Sequence, residues 1–236
     1  MTAPAAIRAL ARGKDLTLPL VVRSGSKAYG IDVPGSDDDF VGTFVAPLRD
    51  FVSLCGSDDT FTGFKPDFAL HEIGKFCRLA LKGNPTILEV LWNPDVVEQD
   101  EWGRELTAMR SSFLHRGSLA PYVGYAESQM KRMVAGKRLH AKGGGYNGKY
   151  GAHLLRLVHA GIGLARTGEV VVRADRELAA TLLRVRSGEV SMGEVLALAR
   201  PLLERLRRCE ERNDLPEEPE RERIDDFVIR ARLARG

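Results

Sequence analysis

Three consecutive carboxylates, Asp37, Asp38 and Asp39, stand shortly downstream of a small turn, Gly25-Ser26. Hydroxyl and backbone N–H donors at a Gly-Ser turn can cradle a phosphate, and neighbouring carboxylates can hold a hard divalent cation. In an extended strand side chains alternate faces, so Asp37 and Asp39 point one way and Asp38 the other. A third carboxylate from an adjacent strand completes the donor set for two-metal phosphoryl chemistry. Asp67, alone at the start of the next short apolar stretch, is the natural supplier. An Asp-x-Asp by itself equally suits a solvated turn or a helix cap. The Gly-Ser turn at the end of an upstream strand favours a site.

Those residues need elements to hold them. Leu16 to Arg23 is apolar and β-branched toward its end, a strand broken by Ser24-Gly25-Ser26, with a helical turn expected over Lys27 to Tyr29. Pro34-Gly35 marks a turn, and Asp39 to Ala46 reads as a second strand buried on both faces. The stretch 47–66 is mixed, with a loop at Gly56-Ser57-Asp58-Asp59, and Asp67 to Leu70 forms a third short strand. From there the period turns helical. A short helix is expected at 7–14, and others over Glu72–Lys82, Thr86–Trp92, Glu101–Leu114, Leu119–Val134, Lys149–Arg166, Asp175–Arg186, Met192–Arg212 and Asp225–Leu233. Ser191 with Glu194 is a capping-box signature, Gly143-Gly144-Gly145 a loop, and Leu215 to Pro219 a surface linker. Strands first and helices after imply an α+β protein: a small α/β catalytic domain over 1–100, then a helical domain over 101–236.

Bulk properties narrow the function classes. With 44% apolar and 28% charged residues the chain has an ordinary globular composition. No apolar run has the length of a membrane span, and the N-terminal stretch lacks a signal-peptide core, so no membrane partner is expected and the cytoplasm is the default location. The three cysteines, Cys55, Cys77 and Cys209, form neither a disulfide framework nor a zinc pattern, and the five histidines lack metal-site spacing. The net charge of +3 argues little, but its distribution does. Between Ser128 and Gly168 there is no Asp or Glu, while Lys131, Arg132, Lys137, Arg138, Lys142, Lys149, Arg156 and Arg166 fall there. Such a segment suits an anionic ligand. Lys149, His153 and Arg156 share one helix face, which a solvated helix surface would also show.

Gly-Ser, a short helix and Asp-x-Asp on the next strand resemble the signature of the polymerase-β-like nucleotidyltransferase superfamily. More narrowly, GSKAYGIDVPGSDDDFVGTFV resembles the RlaP-like family of nucleotidyltransferases associated with RNA repair. LHEIGKFCRLALKGNPTILEVLW is similar to that family's helix ending in Asn-Pro with its Leu-Glu-x-Leu segment. GKYGAHLLRLV is similar to its Lys-x-x-x-His-Leu-x-Arg-Leu helix, and DLPEEPE to its Leu-Pro-x-x-Pro tail. The resemblance implies that Gly25 and Ser26 hold a triphosphate and that Asp37, Asp39 and Asp67 ligate two Mg²⁺, or Mn²⁺, with Asp67 also the base toward the acceptor. It turns the Lys149, His153 and Arg156 face toward triphosphate or an RNA backbone. Asp38 stands where the family often has a non-acidic residue and is expected to face away from the metals. Gly74 stands where a basic residue is common, which removes one phosphate contact.

The implied activity is Mg²⁺-dependent transfer of a nucleoside monophosphate from an NTP to a hydroxyl, with RNA (tRNA or a broken RNA end) as the acceptor. Two alternatives keep the same residues: nucleotidylation of a protein or small molecule, and a non-catalytic RNA- or partner-binding module. The sequence names neither the NTP nor the oligomeric state.

Overall fold

In a computed structural model of the chain, which describes residues 3–54, 56–139 and 146–236, with the backbone alone for 136–139, one mixed sheet carries the acids. The expected glycine loop at 143–145 and Lys142 lie outside what is described, as do the side chains of Lys137 and Arg138. The chain opens with α1 (Ala5–Gly13), β1 (Thr17–Ser24), α2 (Gly25–Tyr29) and β2 (Asp39–Val45). It continues through α3 (Leu48–Val52), β3 (Thr60–Phe64), β4 (Asp67–Glu72), α4 (Ile73–Leu81), α5 (Pro85–Trp92) and β5 (Val96–Gln99). Then come α6 (Glu101–Ala108), single 3₁₀ turns at Arg110–Phe113 and Arg116–Leu119, α7 (Ala120–Leu139), α8 (Gly148–Thr167), α9 (Arg176–Ser187), α10 (Met192–Glu211) and α11 (Arg221–Leu233).

The sheet order is β3-β4-β2-β1-β5, with β2 and β4 parallel and the other neighbours antiparallel. Period-two alternation buries both of its faces. Val21, Phe40, Phe44, Phe68 and Leu70 pack on one side with Ile7 of α1. Leu20, Val22, Val41 and Val45 pack on the other with Ile73, Phe76, Ile87 and Leu88 of α4 and α5. Pro19, which cannot donate to a ladder, sits where the β1–β2 register shifts between Thr17 and Leu20, and its carbonyl accepts the Asp100 N–H at 3.0 Å.

The helices end where local chemistry satisfies their exposed backbone groups. Glu72 caps α4 by accepting from the Gly74 and Lys75 N–H groups, and Asn84 caps α5 ahead of Pro85. The expected Ser191–Glu194 capping box opens α10. The buried cluster that begins under β1 runs on through α7, α8 and α10 to Phe227 and Ala231 of α11, so sheet and helices share one core. α11 returns to α4, where Arg232 makes a paired contact with the Glu72 carboxylate at 3.0 and 2.8 Å.

Several boundaries differ from the sequence expectation. β3 and β5 were not anticipated, and Asp67 therefore opens the fourth strand in sequence rather than the third. Gly25 and Ser26 form the first turn of α2 instead of preceding it. Asp37 and Asp38 precede β2, which begins at Asp39. Helix Glu101–Leu114 divides into α6 and a 3₁₀ turn, and α11 starts at Arg221 rather than Asp225. Gly74 is explained by packing. A Cβ there would stand 2.3 Å from Arg232 Nη2, so the guanidinium of α11 occupies the space a larger residue would need.

Candidate active site

Strand register builds the acidic wall. Ser24 pairs with Asp39 across β1–β2, and Asp39 pairs with Asp67 across the parallel β2–β4 ladder. Directly paired residues share a sheet face, so Asp39 and Asp67 stand side by side on the face that carries Val41 and Val45. Gly25, at φ +68°, lies against this wall: a Cβ would sit 1.9 Å from Asp39 Oδ2. Only glycine accepts both that backbone angle and that approach.

Asp37 and Asp39 line one cleft of about 320 Å³ together with Ser26, Tyr29, Ile31, Lys149, Ala152, His153, Arg156 and Arg186. Asp67 stands beside this cleft and is exposed. Asp38 is held elsewhere, by Lys27 Nζ at 2.8 Å and Arg23 Nε at 3.4 Å. The expected alternation therefore appears in contacts although only Asp39 lies in the strand. Burial, then the charges of Asp67, Asp37 and Asp38, push the Asp39 carboxyl above the usual carboxylate range, with Lys27 opposing.

This wall carries more negative charge than its own residues balance. Among the described residues no three His, Cys, Asp or Glu side chains gather tightly enough to cage an ion by themselves. Mg²⁺, however, takes one or two carboxylates and fills its remaining positions with water and substrate phosphates. The hard-oxygen donors of Asp37 and Asp39, with Asp67 in register, fit that kind of site.

The opposite wall is α8, started by Asn147 Oδ1 accepting from the Lys149 N–H at 3.0 Å. Lys149, His153 and Arg156 all reach the cleft, but in different electrical states. Arg156 is buried and donates to Glu89 of α5, and its guanidinium stacks 3.7 Å over the Tyr29 ring. The Tyr29 hydroxyl donates to the other Glu89 oxygen at 2.9 Å. Burial and the charges of Arg156 and Arg132 push His153 down to about 4, so it is neutral at physiological pH. Its Nδ1 lies 3.3 Å from Arg156 Nη2, and a neutral ring accepts there. Of the three expected cations, Lys149 alone brings an unbalanced charge to the cleft.

Sequence reasoning missed Glu89 and Arg186. Glu89 is buried between Leu88 and Val90 on an apolar helix, a position where a carboxylate needs a cationic partner. Arg156, buried between Leu155 and Leu157 of α8, is that partner. Paired with each other, the two were findable as opposite charges within apolar runs. Arg186, in the last turn of α9, reaches the cleft and donates from Nη1 to the Ile31 carbonyl at 3.0 Å. A second hollow, of about 390 Å³, lies between α4 and α11. Arg78, Arg221, Arg232, Glu222 and Asp225 line it, and none of the wall acids does.

The family described as "RlaP: RNA repair pathway DNA polymerase beta family" matches residues 2–230 of the chain. The chain is also similar to a protein of Enterobacteria phage T4 named as an uncharacterized 38.9 kDa protein in the nrdC-mobD intergenic region. The two are 31% identical over 138 residues, which covers 51% of this chain and 41% of the phage protein. The chain thus spans less than half the length of that curated relative. Among the described residues, no helix is long and apolar enough to cross a membrane.

Proposed function

The chain belongs to the RlaP family, the RNA repair pathway DNA polymerase beta family, and from that premise we propose that it transfers a nucleoside monophosphate from an NTP to a hydroxyl of an RNA acceptor. The observation that carries this reading is the Asp39–Asp67 register beside a cleft that Ser26, Asp37 and Asp39 line together. Asp37 and Asp39 hold Mg²⁺, or Mn²⁺, with Asp67 as the further ligand of a two-ion site. When bound, the ions neutralise charge at the α-phosphate and on the departing pyrophosphate.

The chain's own residues do the rest. Gly25 leaves the room in which Asp39 reaches the substrate side, and Ser26 and Lys149 hold the phosphates from opposite walls. Asp67, exposed beside the cleft, takes the proton of the attacking hydroxyl. The acceptor oxygen bonds to the α-phosphorus as the bond to the pyrophosphate oxygen breaks. Arg156 and Glu89 hold Tyr29, and with it α2, in place. The catalytic acids belong to the sheet and its leading loop, and α8 and α9 supply the facing wall.

The test is incubation with labelled NTPs, Mg²⁺ and a pool of tRNA and nicked RNA. Label passes to RNA with the wild type and not with Asp37→Ala/Asp39→Ala. Absence of transfer by the wild type, or equal transfer by the double variant, removes the proposal. Label recovered on a protein in place of RNA reassigns the acceptor.

A further inference from the structure

The geometry points to Arg186 as a ligand of the nucleotide's phosphate tail, an inference that rests on the nucleotidyl-transfer reading above. It follows from accounting for the cations that line the cleft and for two of their neighbours. Arg156 is compensated by Glu89, and His153 is neutral. Lys27, behind the acidic wall, is taken by Asp38. Arg184, two residues from Arg186 on the same helix, faces away to Glu189 at 3.8 Å. Among the described residues neither Lys149 nor Arg186 has a carboxylate partner, whereas each of these neighbours does or carries no charge. The undescribed stretch 140–145, His-Ala-Lys-Gly-Gly-Gly, contains no acid that could supply one.

Arg186 is half-buried, and among the described residues its guanidinium makes one hydrogen bond, to the carbonyl of Ile31. A guanidinium has five N–H donors in a planar fork that matches phosphate oxygens, so most of its donors are free for a ligand. Its position matters as much as its charge. A polyanion entering the cleft meets the crowded carboxylates of Asp37 and Asp39 on one side, and the free positive charge lies on the other, on Arg186 and Lys149. The Ile31 carbonyl also begins the loop that leads to Asp37 and Asp39. Arg186 therefore ties the phosphate tail, the acid-bearing loop and α9 to one side chain.

A bland role exists for an arginine in a last helical turn: compensation of the helix dipole. That role affects stability and leaves phosphate affinity alone, so the two separate by experiment. Inorganic tripolyphosphate, the four NTPs and adenosine are titrated calorimetrically in Mg²⁺ buffer into the wild type, Arg186→Met, Arg186→Lys and Arg184→Met. Thermal melts confirm that each variant is folded.

Arg186→Met is expected to weaken tripolyphosphate and ATP binding by roughly 10-fold, the worth of a charge-assisted hydrogen bond. Adenosine binding is unchanged, Arg186→Lys recovers part of the loss, and Arg184→Met stays within about 2-fold of the wild type, as expected of an exposed pair. Tripolyphosphate bound equally by wild type and Arg186→Met overturns the inference. So does a loss shared equally by adenosine and tripolyphosphate, which would mean that the Ile31 loop had moved. A wild type that binds neither tripolyphosphate nor any of the four NTPs removes the nucleotidyl-transfer reading itself, and this inference with it.

Discussion

The two walls of the cleft handle charge in opposite ways. On the sheet side Asp37, Asp39 and Asp67 are crowded together, and Asp39 holds its proton more tightly because it is partly buried and because the other acids surround it. On the helical side the most deeply placed charge, Arg156, is matched to Glu89, stacked on Tyr29 and flanked by a neutral histidine. A protein gains nothing in stability from unbalanced carboxylates, whereas a buried ion pair with its partners in place is tolerated as architecture. The difference shows where a ligand's charge would register. Among the described residues Asp37, Asp39 and Asp67 have no ion-pair partner, whereas Arg156 and Glu89 are paired with each other.

The sharpest way to break this comparison is to neutralise each wall and see which property falls. Asp37→Ala/Asp39→Ala should lower nucleotidyl transfer by about 10³-fold or more, the scale of losing electrostatic stabilisation of the reacting phosphate. The same change should leave the melting temperature level or raise it, because mutual repulsion is removed. Glu89→Gln should do the reverse in kind. Removing one partner of a buried pair costs about 3–5 kcal/mol, which for a chain of this size lowers the melting temperature by about 10 °C. Replacing both Glu89 and Arg156 by methionine should cost less than Glu89→Gln alone. If Glu89→Gln melts like the wild type, the pair is not the keystone described here.

Gly25→Ala probes the junction of the two regimes with a smaller effect. A Cβ at φ +68° costs about 1–2 kcal/mol in backbone strain and would collide with the Asp39 carboxylate. Stability should fall by that amount, and transfer should fall further than stability explains, since Asp39 must turn to make room. Unchanged turnover per folded molecule would show that Asp39 need not keep its present orientation.

How much of this could be read from the sequence divides along the same line. The acidic wall was legible because Gly-Ser and Asp-x-Asp lie close together in the chain and their spacing survives folding. Alternation placed Asp37 with Asp39 and apart from Asp38, although β2 starts only at Asp39. The helix with the clearest start signal, α10 behind the Ser191–Glu194 capping box, was placed to within a residue. β5 was missed because four residues, Val96–Gln99, are too few to show a period between two helical stretches. β3 was missed because Thr60–Phe64 is a largely exposed edge strand interrupted by Gly63. The helical wall was legible only as a face. Whether Lys149, His153 or Arg156 carries usable charge depends on Glu89, 67 residues away from Arg156 in the chain, and Arg186 looks like any arginine at a helix end.

His153 gives the finest test of the helical wall, through pH. Its folded-state value of about 4 lies below the 6.5 of an unperturbed histidine, because burial and the positive charges of Arg156 and Arg132 disfavour its protonation. Glu89 is engaged by Arg156 and Tyr29 and so does little to favour the protonated ring. As pH falls below 6.5 the unfolded chain takes up a proton at this position that the folded chain refuses until about pH 4. Stability is therefore fully present above pH 6.5, declines between 6.5 and 4, and levels off below. The loss by pH 5 is at most about 2 kcal/mol by this linkage. His153→Gln keeps an acceptor for Arg156 Nη2 and cannot titrate. Urea melts at pH 7 and pH 5 should show the wild type losing more stability than His153→Gln, by up to that amount. The acids shared by both proteins cancel in the difference. Parallel losses would mean that His153 is protonated in the folded chain at pH 5, and the helical wall would then present a further positive charge to the cleft in mild acid.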